Sequence, residues 1–486
     1  MYPSNDINTP INLTTHKSLS LHSFERKLIL VTLDIFLLCI ALIIAVIIRT
    51  ELLPNLTTVF NYSKWFVTLA LVWGVWAAIF DSYNLARAAS STYSLSAVIP
   101  TIFLTSISYL FIPWLTPSLE NRGQAFLFII LALLFITTWR FVYVHLFSHP
   151  AFRRRALVIG EASITEQFVS ALETPFAKKD ANPFRGTGYE LIGFMPTSAP
   201  NQLTNLPIPP IQPTSDLSAL IQKWRIDDII LSHEVSDVIP DPLYESLLTC
   251  QETGVPITNI HSVYERLTGR VSSHANGRIM MLLNSRQSSP SYRLFTLLKR
   301  MIDIIGALCG LLILLAVIPV ITLLNALFSP GPLFYRQVRV GQGGVPFTII
   351  KFRSMTTDAE NGKAVWASSN DSRVTRVGQW LRRTHVDEIP QVINVLRGQM
   401  SLVGPRPERP EFVTLLSQKI PYYRMRHSVK PGVTGWAQVH QDYGDSIEST
   451  QTKLEYDLFY IKNASTILDS QIILRTIVKI FGLHGR

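Results

Sequence analysis

Charge is scarce in this chain: only 16% of its 486 residues are Asp, Glu, Lys or Arg, against 48% hydrophobic. With a mean hydropathy of +0.25, that composition excludes an ordinary soluble protein and points to membrane segments. Cysteine is scarcer still. Cys39, Cys250 and Cys309 lie far apart, with no Cys-x-x-Cys pair and no histidine spacing that would build a zinc site, so they read as small buried hydrophobes in a reducing compartment. Acidic residues number 34 against 44 Lys plus Arg, a net charge of +10. Such a surplus suits nucleic acid, anionic lipid or an anionic substrate. Beside membrane segments, lipid and phosphate are the better partners, and nucleic acid is not expected.

What the chain does have is long apolar runs. Residues 28–48 match a bilayer span of ~20 residues and have no small-residue cleavage site after them, so the segment is expected to stay in the mature protein. Further runs at 65–80, 97–114 and 125–146 give four candidate spans in the first 150 residues. Arg26 and Lys27 before the first, Arg87 between the second and third, and Arg153-Arg154-Arg155 after the fourth put both ends of this bundle in the cytoplasm, with Arg49, Lys64 and Arg122 dissenting. Asp34 lies inside the first run, near its basic end. It suits a place at the headgroups or between helices, and less well a functional path.

After the arginines, Ala156-Leu157-Val158-Ile159-Gly160 reads as a buried strand, followed by a helix to Leu172. Strands at 190–195, 228–231 and 256–260 alternate with helices at 216–224 and 242–252, the pattern of an α/β domain with a parallel sheet. Gly160 invites a dinucleotide reading. The second and third glycines that let a pyrophosphate approach are missing from Gly160-Glu161-Ala162-Ser163-Ile164, so a Rossmann-like spacer or oligomerisation module fits better.

Residues 269–291 read as a linker. Beyond them Lys299-Arg300-Met301-Ile302-Asp303 leads into an apolar stretch, 304–328, long enough to cross a bilayer. Basic residues flank both ends, and Pro319 near the middle would break a helix hydrogen bond, which favours a re-entrant hairpin over a Pro-kinked span. Ser329-Pro330-Gly331-Pro332 is a turn, and a hairpin around Gly341-Gln342-Gly343-Gly344 gathers Arg336, Arg339, Lys351 and Arg353 near one small sheet, where phosphate or anionic lipid could bind.

The densest chemistry is Arg383-Thr384-His385-Val386-Asp387-Glu388-Ile389-Pro390-Gln391, with Gly404-Pro405-Arg406-Pro407 soon after. Pro390 is tolerated only in the first turn of a helix, so a helix is expected to begin near Asp387. Carboxylates there are favoured in their ionised form. Adjacent residues point in different directions, so one can attack while the other holds a cation. The competing reading makes Asp387 a helix N-cap and Glu388 a first-turn charge. Pro431-Gly432-Val433-Thr434-Gly435-Trp436 is a second glycine-hinged turn, and Leu454-Glu455-Tyr456-Asp457 precedes an aromatic pair. At the C-terminus an amphipathic helix carries Ile467, Leu468, Ile472, Ile473, Ile477, Ile480 and Phe481, with Arg475 and Lys479 opposite. It fits a membrane interface and a protein core equally well.

Taken together, Lys299-Arg300 to Asp303, Ser329-Pro330-Gly331-Pro332, Lys351-Phe352-Arg353-Ser354-Met355, Asp387-Glu388-Ile389-Pro390-Gln391, Gly404-Pro405-Arg406-Pro407 and Pro431-Gly432-Val433-Thr434-Gly435 resemble the bacterial sugar transferases. These are the polyprenyl-phosphate hexose-1-phosphate transferases, or monotopic phosphoglycosyl transferases, and the resemblance covers residues 292–486. The upstream architecture resembles the long members that initiate exopolysaccharide, capsule or O-antigen synthesis. The implied fold is a membrane protein with a four-helix transmembrane bundle (1–150), a Rossmann-like α/β middle domain (151–268), a linker (269–291) and an α+β catalytic domain (292–486) with re-entrant helix 304–328.

The implied reaction moves hexose-1-phosphate from a UDP-sugar, with glucose or galactose expected, to undecaprenyl phosphate and releases UMP. By this resemblance Asp387 is the nucleophile and forms a covalent phosphosugar, while Glu388 holds Mg²⁺. Arg406 and Lys351 or Arg353 clamp phosphate, Lys299 and Arg300 meet the lipid phosphate, and Gln391 and Asp457 join the substrate-binding set. It also implies a multi-pass protein of the bacterial inner membrane whose catalytic domain faces the cytoplasm, with a homodimer left open. A non-catalytic scaffold or regulator of polysaccharide export is the rival reading. A membrane-anchored nucleotide-sugar oxidoreductase fails on the incomplete glycine fingerprint.

Overall fold

A computed structural model describes residues 23–480 apart from 51–62, 89–90, 113, 117–121, 148–153, 173–188, 198–207, 213, 215, 233–240, 273–289, 357–372 and 442–445. Most of the expected linker therefore lies outside the described residues. The chain divides into two compact units, 1–260 and 261–486.

The first unit opens with four apolar helices, Ser23–Thr50, Ser63–Ile79, Ser91–Leu110 and Arg122–Phe147. Leu38, Leu42, Trp73, Ile102, Tyr109 and Phe128 pack in their shared core. Only the first and last contain a stretch of span length, Phe24–Ile47 and Gly123–Leu146. Ser63–Ile79 has 17 residues, about 26 Å at 1.5 Å per residue, short of a hydrocarbon core of ~30 Å. Asp34 lies between helices, fully buried and ion-paired with Arg140, which also donates to the Ser82 carbonyl at 2.8 Å. Pairing is what makes a charge tolerable at such a place.

The α/β part follows the expected alternation. Strands β1 (Arg154–Gly160), β2 (Tyr189–Pro196), β3 (Asp228–Ser232) and β4 (Ile257–Asn259) form a parallel sheet in the order β2-β1-β3-β4. Leu157, Ile159, Ile229 and Leu217 fill the core against flanking helices.

The second unit takes in helix Ile260–Thr268 from its second residue on, and Tyr264 donates to Glu455 Oε2 at 2.9 Å while Lys462 pairs with Glu265 at 2.6 Å. Where the sequence suggested a hairpin at 304–328, there is one helix, Pro290–Phe328, with Pro319 inside it. One face of it is bound to the domain from end to end. Asp303 is buried and accepts from Ser401 Oγ at 2.9 Å and Leu402 N at 2.8 Å. A Cβ on Gly306 would come within 2.5 Å of Leu402, and one on Gly310 within 2.7 Å of Val392; glycine permits the close approach. Ala307, Leu314 and Ile321 continue the same face into the core with Phe347, Phe352 and Val395. The opposite face exposes Ile305, Leu308, Leu312, Leu315, Leu323 and Leu327.

Beyond the helix, β5 (Phe334–Val340) and β6 (Pro346–Phe352) form the expected antiparallel hairpin. Gly343 and Gly344 supply its positive-φ positions. Helix Arg376–Arg383 leads to the acidic motif, and β7 (Ser401–Val403) pairs in parallel with β8 (Gly432–Thr434). Helices Ile447–Asn463 and Thr466–Ile480 complete the domain. In the last of them Arg475 is buried, lies over the Trp436 ring and reaches His440 Nε2 at 2.5 Å, so it is not part of a solvent-facing polar stripe.

Candidate active site

The acidic motif does not form the single helix expected from Pro390. His385 takes a left-handed conformation (φ 57°), and a 3₁₀ helix, Val386–Gln391, follows it before the α-helix Val392–Leu396 begins. The tight turn pairs His385 N with Arg382 O and Glu388 N with His385 O, leaving Asp387 and Glu388 in its first turn. Asn394, fully buried, fixes this segment to β6: it accepts from Ile350 N at 3.1 Å and donates to Thr348 O at 2.7 Å. Lys351 on β6 is thereby set opposite the acidic pair.

The two carboxylates have different surroundings. Glu388 is fully engaged: Lys351 Nζ lies 2.7 Å from Oε1, and the Arg406 fork reaches Oε1 at 2.5 Å and Oε2 at 3.1 Å. Burial opposes its charge, but Arg406 and Lys351 outweigh burial and hold its carboxyl well below the usual range. Asp387 is 7% exposed, and among the described residues its carboxylate has no hydrogen-bond partner. Burial, and then the Glu388 charge, push its pKa up, offset in part by Lys351, Arg406 and Arg382. Burial, with Arg406 behind it, lowers the Lys351 pKa against the pull of Glu388. Gln391 is buried, and its Nε2 is unpartnered among the described residues.

Lys351 and Arg406 thus gather at the acidic pair, Gln391 ends the same 3₁₀ helix, and the remaining candidates bond elsewhere. Lys299 is held by Asp469 at 2.7 Å, Val403 O at 2.9 Å and the Tyr460 hydroxyl at 3.1 Å. Arg300 closes the end of helix Val392–Leu396 by donating to the carbonyls of Val395 and Leu396, a favourable place for a cation. Arg353 ties the turn after the long helix to Asn325, Ser329 and Pro330. Asp457 is buried and paired at 2.8 Å with Arg426. The basic residues of the hairpin are accordingly dispersed: Arg339 faces Glu408 and Gln337, and Arg336 is exposed.

Arg426 was not singled out from the sequence. It is buried, donates to the Arg406 carbonyl at 3.0 Å and to the Tyr423 hydroxyl at 2.6 Å, and so fixes the turn that carries Arg406. Two of its partners, Arg406 and Asp457, lie 20 and 31 positions away, with no periodicity to reveal them. Next to Arg406 a recess opens, lined among others by Val340, Pro405, Pro407, Arg426, His427 and Val429.

Chemically, the arrangement offers one buried carboxylate without a bonding partner among the described residues, a second carboxylate held by two cations, and a bidentate guanidinium, a set suited to an anionic phosphate ester. Among the described residues no group of three His, Cys, Asp or Glu could hold a metal ion. Magnesium does not need one, because it is usually bound by one or two carboxylates together with substrate phosphates and water. The adjacent carboxylates fit that donor set.

A family model described as bacterial sugar transferase matches residues 294–482. A UDP-N-acetylgalactosamine-undecaprenyl-phosphate N-acetylgalactosaminephosphotransferase of Aeromonas hydrophila is 39% identical over 276 residues, covering 54% of this chain and 63% of that protein. A UDP-glucose:undecaprenyl-phosphate glucose-1-phosphate transferase of Escherichia coli (strain K12) is 47% identical over 188 residues, covering 38% of this chain and 40% of that protein. The chain therefore spans about half the length of these two relatives. A UDP-glucose:undecaprenyl-phosphate glucose-1-phosphate transferase of Caulobacter vibrioides is 39% identical, with 76% of its length covered. On the family match, which lies in the domain that holds Asp387, Glu388 and Arg406, and on these relatives, the chain belongs to the bacterial sugar transferase family.

Proposed function

We propose that the chain is an initiating phosphoglycosyl transferase that moves hexose-1-phosphate from a UDP-sugar to undecaprenyl phosphate. The observation that carries this reading is the unequal carboxylate pair. Glu388 has both oxygens committed to cations, whereas Asp387 has none committed among the described residues. An Asp387 oxygen attacks the phosphorus that bears the sugar, the bond to the bridging oxygen of UMP breaks, and UMP leaves with that electron pair. An oxygen of undecaprenyl phosphate then attacks the same phosphorus, and the Asp387 carboxylate departs. Lys351 and Arg406 turn from Glu388 toward the diphosphate oxygens, placing two cations where negative charge is concentrated. Glu388, and through the same phosphates the donor, would hold Mg²⁺, which supplies charge neutralisation between a carboxylate and a diphosphate. Gln391 offers its amide as a further donor.

The long helix supports a same-side topology. Its contacts with the catalytic domain run from Lys299 to Asn325, roughly 40 Å at 1.5 Å per residue, which exceeds a hydrocarbon core of ~30 Å. A helix carrying a soluble domain along that whole length enters one leaflet and stays on one face. The proposal therefore keeps a re-entrant helix and, with it, a cytoplasmic catalytic domain at the inner membrane; the four N-terminal helices are proposed as spans, the two shorter ones packed against the longer two, and the domain limits stand as above except that helix Ile260–Thr268 goes with the catalytic unit. The sugar is open between glucose, galactose and N-acetylgalactosamine.

The test is UMP release from UDP-glucose, UDP-galactose or UDP-N-acetylgalactosamine with undecaprenyl phosphate and Mg²⁺ in membranes. Wild type should release UMP with one of them and Asp387→Asn should not. Equal release by the variant would move the nucleophile elsewhere, and none from wild type would favour the scaffold.

A further inference from the structure

We propose that residues 261–271, upstream of the 294–482 segment matched by the family model, form a strap that positions Arg406, with Tyr264 and Gly269 as its two anchor points. This rests on the transferase reading above, in which Arg406 holds the donor's diphosphate, and adds what keeps that clamp in place.

The strap starts in helix Ile260–Thr268, turns at Gly269 in a left-handed conformation (φ 66°) that glycine adopts without strain, and ends at Val271. Along its length it grips helix Ile447–Asn463. Glu265 accepts from Lys462 Nζ at 2.6 Å and from Asn463 Nδ2 at 2.8 Å. Tyr264, 5% exposed, donates to Glu455 Oε2 at 2.9 Å, and Val271 N donates to the carbonyl of the same residue at 3.1 Å. The Arg270 guanidinium lies 5.0 Å from the centre of the Tyr456 ring. Val271 itself is buried in the core shared by Leu454, Leu458 and Trp436. Glu455 is buried too, and a carboxylate in such a place depends on its donors.

Two routes lead from the strap to the turn that carries Arg406. Glu455 and Asp457 are separated by about 200° around their helix, at 3.6 residues per turn, so they face opposite ways. The strap holds Glu455, while Asp457 on the other side pairs at 2.8 Å with Arg426, which donates to the Arg406 carbonyl at 3.0 Å. The second route starts at Gly269, whose carbonyl accepts from Trp436 Nε1 at 2.9 Å. Trp436 follows directly on the glycine-hinged turn 431–435, and that turn is bonded to the residues before Arg406: Gly404 N donates to Thr434 O at 2.8 Å and Gly432 N to Pro405 O at 2.9 Å. Both routes end at residues 404–406, from which the Arg406 fork reaches Glu388. A bidentate guanidinium acts through its exact placement, and a shift of about 1 Å caused far from the chemistry can cost ~100-fold in rate.

The test uses the full chain in lipid nanodiscs. Its readout is inhibition of turnover by inorganic diphosphate in competition with the UDP-sugar, which reports the Arg406 clamp per active molecule whatever fraction is folded. Tyr264→Phe removes one anchor, Trp436→Phe the other, and each should weaken diphosphate inhibition about fivefold, ~1 kcal/mol, with the undecaprenyl phosphate KM unchanged. Glu265→Lys should weaken it as well, and adding Lys462→Glu, which restores the pair with its charges exchanged, should recover most of the loss. Arg266→Ala, exposed on the same helix and bonded to the Ser262 carbonyl within it, should behave as wild type. An unchanged inhibition constant in Tyr264→Phe, Trp436→Phe and Glu265→Lys overturns the proposal. A lower thermal midpoint and lower kcat with that constant unchanged also overturns it, because the strap would then serve folding alone. So does equal weakening in Arg266→Ala. A wild type that releases no UMP with any donor sinks the transferase reading itself, whereas an active wild type with insensitive strap variants sinks the strap alone.

Discussion

Arg426 and Asp457 form a buried ion pair whose disruption separates stability from catalysis. Both side chains are 2% exposed, and Arg426 also donates to the Tyr423 hydroxyl and the Arg406 carbonyl. Arg426→Met strands the Asp457 carboxylate in the interior, and Asp457→Leu strands the guanidinium. Breaking one partner of a buried pair costs about 3–5 kcal/mol, whereas replacing both by apolar groups of similar size is often close to neutral. The double variant should therefore be more stable than either single one, with a coupling of about 2 kcal/mol or more. Activity should not follow stability. The Arg406 carbonyl loses its donor in Arg426→Met and in the double variant alike, so the turn carrying Arg406 loosens and UMP release stays at least tenfold below wild type. The assay is a double-mutant cycle of denaturant midpoints in detergent, paired with UMP release from the same preparations. Additive destabilisation, or a double variant that regains wild-type turnover, would refute the positioning role.

The remaining expectations use the same geometry. The raised Asp387 pKa means that the charged form required by the proposed attack is lost as pH falls through a value above the ordinary ~3.9 of aspartate. The acid limb of kcat/KM should lie above that value and move higher in Lys351→Met, which removes a cation that favours the charge; a pH profile with the limb at or below ~3.9 contradicts this. Gly378→Ala would put a Cβ 1.9 Å from the Ser354 carbonyl oxygen, so helix Arg376–Arg383 must shift. A loss of at least 2 kcal/mol is expected, read from the thermal midpoint, and wild-type stability would show that the packing there is loose. Asp303→Leu removes the acceptor for Ser401 Oγ and Leu402 N and strands both donors, at about 1–3 kcal/mol each. Limited proteolysis should then open the junction between β7 and the long helix, and unaltered protection would argue against that anchor.

Local chemistry was legible in the sequence and long-range pairing was not. The strands of the middle domain, the hairpin around Gly343-Gly344 and the apolar helices follow from periodicity and turn residues. So does the acidic turn before Pro390, although His385 in a left-handed conformation starts a 3₁₀ helix where an α-helix was expected. Basic residues were harder to place, because a lysine near a phosphate and a lysine in a structural bond look alike in one dimension. Lys299 finds Asp469 at a separation of 170 positions and Asp303 finds Ser401 at 98. Arg475 seemed to face solvent from its helical spacing, yet Trp436 and His440 cover it. The hairpin expected at Pro319 is likewise a single helix, packed at Gly306 and Gly310 against Leu402 of β7 and Val392 of the helix after the acidic motif, contacts that no local pattern announces.

The central claim is that Asp387 becomes covalently linked to the phosphosugar. The direct measurement is intact-protein and peptide mass spectrometry after mixing enzyme, UDP-sugar and Mg²⁺ without undecaprenyl phosphate. The account predicts a burst of UMP approaching one per active site, a hexose-phosphate mass increase on the peptide containing Asp387, and neither in Asp387→Asn. UMP release that occurs only when undecaprenyl phosphate is present, with no adduct on that peptide, would contradict it.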